Sequence, residues 1–152
     1  MAAEPARTVI LVRHAERAGG MGPEVGIGKA GRCRARLLAG LLADAGVKHI
    51  YTSEVARTQQ TAKPLAKKLG LQPEAIGAKD YDALLAKLLS GAPGEAALVV
   101  GHSNTVPEII SRLGAGTVPA IADNDYDRLF VVTITGERQA SLLTLHFSGC
   151  RR

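Results

Sequence analysis

Thr8-Val-Ile-Leu-Val-Arg-His-Ala-Glu-Arg17 is the stretch on which the reading of this chain turns. Its apolar residues run without alternation, as in a strand buried on both faces, and they stop abruptly at Arg13 and His14. Open α/β sheets bind ligands just beyond the carboxyl ends of such strands, so the Arg-His pair is a candidate site. The simpler alternative is that two polar residues mark only the point where a strand meets water. Ala96-Ala-Leu-Val-Val100 repeats the pattern and runs into Gly101-His102-Ser103-Asn104. Two buried strands that each deliver a histidine at the carboxyl end favour a shared site over coincidence.

Helices are expected between these strands. From Lys29 to Ala45 the apolar positions Ala30, Cys33, Leu37, Leu38, Leu41, Leu42 and Ala45 follow helical spacing and stop at Gly46. Arg32, Arg34 and Arg36 fall on the opposite, solvated face. Val47 to Tyr51 reads as a short strand, with His49 a surface or structural histidine. A helix then begins after the cap-type residues Thr52 and Ser53 and reaches Leu69, with a kink expected at Pro64 and a stop at Gly70. That places Arg57 in its first turn, beside the strand end.

Leu71 to Lys79 is a loop with room for a short edge strand. Asp80 or Asp82 caps a helix that ends at Ser90-Gly91. Thr105 and Glu108 have capping-box spacing for a helix whose amino end points at His102, a placement that favours an anion. Asp123 to Asp127 caps, turns or gates, and Arg128 to Ile134 with Gln139 to Phe147 forms an antiparallel hairpin at the sheet edge. His146 within it reads as structural.

Composition narrows the function classes. The 152 residues suit one domain spanning 1–152, and 46% hydrophobic with 22% charged residues is the balance of a globular protein. Aromatics are only 3%, too few for a base-stacking platform, so the formal charge of +5 points to anionic small substrates or to solubility rather than to nucleic acid. Cys33 and Cys150 offer no zinc or dithiol motif, and a disulfide between them is possible but unforced. No apolar run has the length of a signal core or a membrane span. A soluble protein without integral membrane association is expected, cytoplasmic or, were a signal removed, periplasmic or secreted. The glycine-rich loop Ala18 to Gly28 precedes Lys29, but Pro23 and Ala30 break the phosphate-loop pattern.

The gathered residues are Arg13, His14, Arg57 and His102. Guanidiniums stay charged and match phosphate oxygens bidentately, whereas a carbonyl substrate would gain little from two of them. A neutral imidazole can attack phosphorus if its other nitrogen is held as N–H by an acceptor such as a backbone carbonyl. These residues need no metal or cofactor, and none is expected.

Leu11-Val-Arg-His-Ala-Glu16, Thr52-Ser-Glu-Val-Ala-Arg57-Thr-Gln-Gln-Thr61-Ala and Val100-Gly-His102-Ser-Asn-Thr closely resemble, in order and spacing, the motifs of the histidine phosphatase (phosphoglycerate mutase-like) superfamily. The compact bacterial members similar to phosphohistidine phosphatases share Arg-His-Ala in place of the usual Arg-His-Gly. The resemblance implies a three-layer α/β/α fold with a mainly parallel sheet. It implies a phosphohistidine on His14, a phosphoryl clamp of Arg13, Arg57 and His102, and release of phosphate by water. Larger relatives carry an acidic residue on an insertion that is short here, leaving Glu16, Glu74 and Asp82 as candidates, Glu16 being nearest in sequence. The expected partner is a phosphorylated small molecule or phosphoprotein. Mutase-type phosphoryl transfer and a non-catalytic phospho-ligand-binding module are the alternatives.

Overall fold

The structure, a computed structural model, describes residues 5–150. Strands β1 (Arg7–Arg13), β2 (Val47–Thr52), β3 (Glu74–Ala75) and β4 (Ala96–Gly101) run parallel, and β5 (Arg128–Ile134) and β6 (Ala140–His146) complete the sheet antiparallel. The order β3-β2-β4-β1-β5-β6 puts β1 and β4 side by side at its centre. Strand alternation then sorts the core into two layers. Val9, Leu11 and Val99 pack against helices α3 (Tyr81–Ser90) and α4 (Thr105–Arg112), while Ile10, Val12, Leu98 and Val100 meet α1 (Lys29–Leu42) and α2 (Ala56–Leu69) on the other face. Both faces of β1 and β4 are thereby buried, which is why these strands read as unbroken apolar runs. The architecture is the expected three-layer α/β/α sandwich with an antiparallel hairpin at one edge.

Local structure departs from the expected pattern in two helices. In α1, Leu37 and Leu41 are 42% and 56% exposed, whereas Gly31, Ala35, Leu38, Ala39 and Leu42 face inward. Small residues on the inner face let α1 lie close to its neighbours, and that proximity sets its rotation more than leucine count does. Arg34, expected in solvent, is only 8% exposed. Its guanidinium forms a fork with Glu16, Nε to Oε1 at 2.8 Å and Nη2 to Oε2 at 3.2 Å, and Nη1 donates to the Phe147 carbonyl. Beside it Cys33 and Cys150 are joined in a disulfide with Cα atoms 5.8 Å apart, tying the end of the described chain to α1.

In α4 the expected capping box does not form. Thr105 Oγ1 accepts from the His102 backbone N–H at 2.9 Å, and Glu108 turns to Arg112, so the cap-type side chain holds the histidine's backbone instead. Asp80 caps α3 by accepting from the Ala83 N–H, and Gly70 closes α2 in the left-handed conformation at φ 67°. Pro64 lies inside α2, which continues through it.

Gly31 marks the tightest approach of α1 to the segment after β1. A β-carbon there would run into the Glu16 carbonyl oxygen and come within 2.9 Å of Ile27 Cβ. Gly31→Ala is therefore expected to destabilise by about 1–3 kcal/mol through overpacking. A urea melt checks this as a lower midpoint at unchanged slope, and a wild-type midpoint would contradict it.

Candidate active site

The site is built by the register of the two central strands. Arg13 at the end of β1 pairs with Gly101 at the end of β4, and the His14 N–H donates to the Gly101 carbonyl at 2.8 Å, one residue past the strand. His14 and His102 consequently leave the sheet side by side, with ring centroids 5.4 Å apart. Gly101 has no side chain because a β-carbon would press on Thr105 Oγ1 at 2.9 Å and Val106 at 3.1 Å, where α4 begins. Ala15 has ordinary backbone angles, so alanine after the histidine carries no strain. Its N–H donates to Thr61 Oγ1, which in turn donates to the Arg57 carbonyl, fastening the start of α2 to the residue beside His14.

The two arginines are anchored by backbone carbonyls. Arg13 Nη1 donates to Ala122, Asp123 and Asp125, each at 3.0 Å, and its guanidinium lies 4.1 Å from the Tyr126 ring centre. Arg57 Nη1 donates to Gly22 and Val25 at 3.1 and 3.3 Å, so the glycine-rich loop serves as its brace. In both residues Nε is buried without an acceptor, a costly state. Together with His14 and His102 they line a polar cleft of about 320 Å³.

Burial pushes the His14 pKa down to about 4; the Ala15 carbonyl opposes this, and Arg13, His102 and Arg57 add to the depression. The ring is neutral at pH 7. Its Nδ1 lies 2.8 Å from the Ala15 carbonyl, which accepts only from an N–H, so the proton sits on Nδ1 and Nε2 keeps its lone pair. His102 is also lowered, first by burial and then by Arg57. Its Nε2 is 2.8 Å from Ser53 Oγ, and that oxygen accepts from the Val55 N–H and contacts Thr58 Oγ1 at 3.0 Å.

Arg13, His14, Arg57 and His102 thus meet in one cleft, but the carboxylates singled out in the sequence do not join them. Glu16 is turned to the α1 side by its ion pair with Arg34, Glu74 pairs with Lys87 at 3.5 Å, and Asp82 approaches Arg112 at 3.8 Å. The cleft wall instead carries Asp123, Tyr126, Arg17, Ser103 and Asn104. Arg17, Ser103 and Asn104 flank the two strand-end histidines in the sequence, and the Asp123–Asp127 segment showed only its turn-forming composition. Ser53 reaches His102 across 49 residues, which spacing does not reveal. His49 and His146 lie apart, paired with Glu95 and Asp127. Among the described residues no group of three or more His, Cys, Asp or Glu is placed to hold a metal ion.

The α/β sandwich closes two histidines and two braced guanidiniums around a polar cleft, an arrangement whose charge suits an anion. The sequence profile of the histidine phosphatase superfamily (branch 1) matches residues 9–77. Over those residues the chain is similar to that superfamily. Similar solved structures include the protein histidine phosphatase SixA complexed with tungstate, at 18% identity and a TM-score of 0.74, over 91% of this chain and 96% of that one. A candidate phosphohistidine phosphatase SixA from Nakamurella multipartitia is 22% identical with a TM-score of 0.71, covering 95% and 98%. A mycobacterial glucosyl-3-phosphoglycerate phosphatase with inorganic phosphate is 15% identical with a TM-score of 0.71, covering 93% and 97%. At these identities the likeness is one of fold. No curated protein matches the chain in sequence.

Nitrogen-15 NMR should find His14 as the neutral Nδ1–H tautomer at pH 7, charging only near pH 4; a charged ring at pH 6 would contradict this. Because the unfolded chain takes up this proton near pH 6.5 and the native state only near pH 4, stability should fall as pH drops through that window. Glu16→Gln is expected to lower stability by roughly 1–3 kcal/mol by weakening the fork with Arg34, without changing turnover at saturating substrate. A selective loss of kcat would put Glu16 in the reaction after all.

Proposed function

We propose that this chain is a metal-independent phosphohydrolase that cleaves phosphomonoesters or phosphohistidine through a phosphohistidine on His14. The observation that carries the reading is the His14 Nδ1 contact to the Ala15 carbonyl, which leaves Nε2 as a free lone pair in a cationic cleft. Nε2 attacks phosphorus, the bond to the leaving group breaks, and the imidazolium that develops is stabilised by the same Nδ1–H bond. Water then attacks phosphorus, the P–N bond breaks, and phosphate leaves with His14 neutral again.

The guanidiniums of Arg13 and Arg57, which line the cleft, supply donors for the equatorial oxygens, whose charge the site must hold through the transition state. His102 adds a donor if its proton is on Nδ1, and a Ser53 hydroxyl donating to Nε2 produces that tautomer. Substrates whose leaving group departs without strong protonation suit this cleft best, since Glu16, Glu74 and Asp82 all lie outside it and Asp123 on its wall is the one carboxylate among the lining residues. Phosphohistidine, with an imidazole leaving group, and aryl phosphates meet that requirement. Phosphoryl transfer back to a second hydroxyl of the same molecule, as in a mutase, gains nothing from the arrangement.

With p-nitrophenyl phosphate, wild-type turnover should persist in chelator, and His14→Ala should lose about 10³-fold or more. Acid quench should trap an acid-labile phosphoenzyme that His14→Ala does not form; equal turnover in that variant would overturn the reading. Arg57→Ala should weaken inhibition by inorganic phosphate about 10- to 100-fold, the value of one or two charge-assisted bonds. Across a series of aryl phosphates the rate should fall steeply as leaving-group pKa rises. A flat dependence that steepens in Asp123→Asn would make Asp123 the proton donor.

A further inference from the structure

A second charged feature lies outside the cleft. The outer faces of α1 and α2 enclose a groove of about 750 Å³, rimmed by Arg32 and Arg36 on one helix and Lys63 and Lys67 on the other. All four are exposed, and among the described residues none pairs with a carboxylate. Each helix therefore carries a like-charge pair at i,i+4, an arrangement that destabilises an isolated helix by a few tenths of a kcal/mol. Between the rims the floor is apolar, formed by Ile27, Ala35 and Pro64.

This groove lies next to the cleft. Ile27 forms a backbone bridge with Arg17, which lines the cleft, and the Ile27 N–H donates to Gln60 Oε1, a groove residue, at 2.9 Å. Both helices begin at the cleft edge, because each follows the carboxyl end of a parallel strand. The cationic groove thus begins beside the cleft, where Arg17 and Ile27 meet.

We infer that the groove between α1 and α2 docks an acidic amphipathic polypeptide segment, a helix in preference to an extended strand, belonging to a phosphoprotein substrate. The inference rests on the phosphohydrolase reading of the cleft. Its chemistry follows from shape and charge. Cations at i,i+4 repeat about every 6 Å along a helix axis, the same repeat at which a helical partner presents carboxylates at i,i+4. An apolar floor accepts the intervening aliphatic side chains, as in helix-in-groove recognition. Nucleic acid is disfavoured because no aromatic residue lines the groove for bases to stack on. A bilayer is disfavoured because the surface is concave.

The test compares two synthetic phosphotyrosine peptides of helical sequence, one with Glu at i,i+4 repeats and one with Gln at the same positions. The acidic peptide should have at least a tenfold higher kcat/KM at low ionic strength. That advantage should vanish in 0.5 M salt, roughly where screening shortens to a few ångström. It should also vanish in Lys63→Glu/Lys67→Glu, whose hydrolysis of p-nitrophenyl phosphate stays at wild-type level. Equal kcat/KM for the two peptides, or an advantage that survives the double variant, overturns the proposal. Binding of a single-stranded oligonucleotide or anionic phosphatidylglycerol vesicles that is lost in the double variant, with no binding of the acidic peptide, overturns the choice of partner. Titration with the unphosphorylated acidic peptide separates the two readings, since groove binding without turnover of any phosphoester condemns only the catalytic one.

Discussion

The parallel pairing of β1 with β4 is the constraint on which the rest depends. Hydrogen bonding fixes Arg13 opposite Gly101, and the next bond, from the His14 N–H to the Gly101 carbonyl, carries that register past the end of the strand. A slip of one residue would send one histidine to the opposite face of the sheet, since side chains alternate along a strand. Both strands are buried on both faces, so such a slip would also misplace two layers of core. The position of the ring pair is thus secured by hydrophobic burial far larger than any interaction the rings make themselves.

Around that pair the structure uses backbone oxygen to position charge. Arg13 is held by three carbonyls of the 122–125 segment and Arg57 by two of the glycine-rich loop. Carbonyls orient a guanidinium without neutralising it, whereas a carboxylate in the same place would compete with phosphate for it. The half-buried fork of Glu16 and Arg34 shows the other option two residues beyond His14. There the charges cancel, and the pair joins the end of β1 to α1 as structure. Close neighbours in sequence therefore serve opposite purposes according to which side of the sheet they face.

Much of this was legible in the sequence because it is written in local pattern. The unbroken apolar runs located β1 and β4, their polar ends located His14 and His102, and the cap-type residues before a helical stripe placed Arg57 near the same edge. What stayed hidden depends on partners distant in the chain. The rotation of α1 could not be read from its leucines because Arg34 finds Glu16 and Phe147 inside, contacts spanning 18 and 113 residues. Thr105 looked like half of a capping box, yet its hydroxyl serves the His102 backbone across a turn that exists only once Gly101 lets α4 approach. Tyr126 and Asp123 enter the cleft through a loop with no periodicity to read.

Arg13 and the carbonyls that hold it are separated by 109 to 112 residues. The β1 strand pairs on one side with β4 and on the other with β5, so the first strand made lies at the centre of a sheet whose remaining members arrive late. During synthesis β1 must wait, apolar on both faces, until most of the chain has left the ribosome. Loop closure over such distances slows folding and prolongs exposure of sticky surface. The cleft, which needs the 122–125 segment, is accordingly among the last features to form, and a chain truncated before residue 122 would hold both histidines yet lack the brace that aims Arg13.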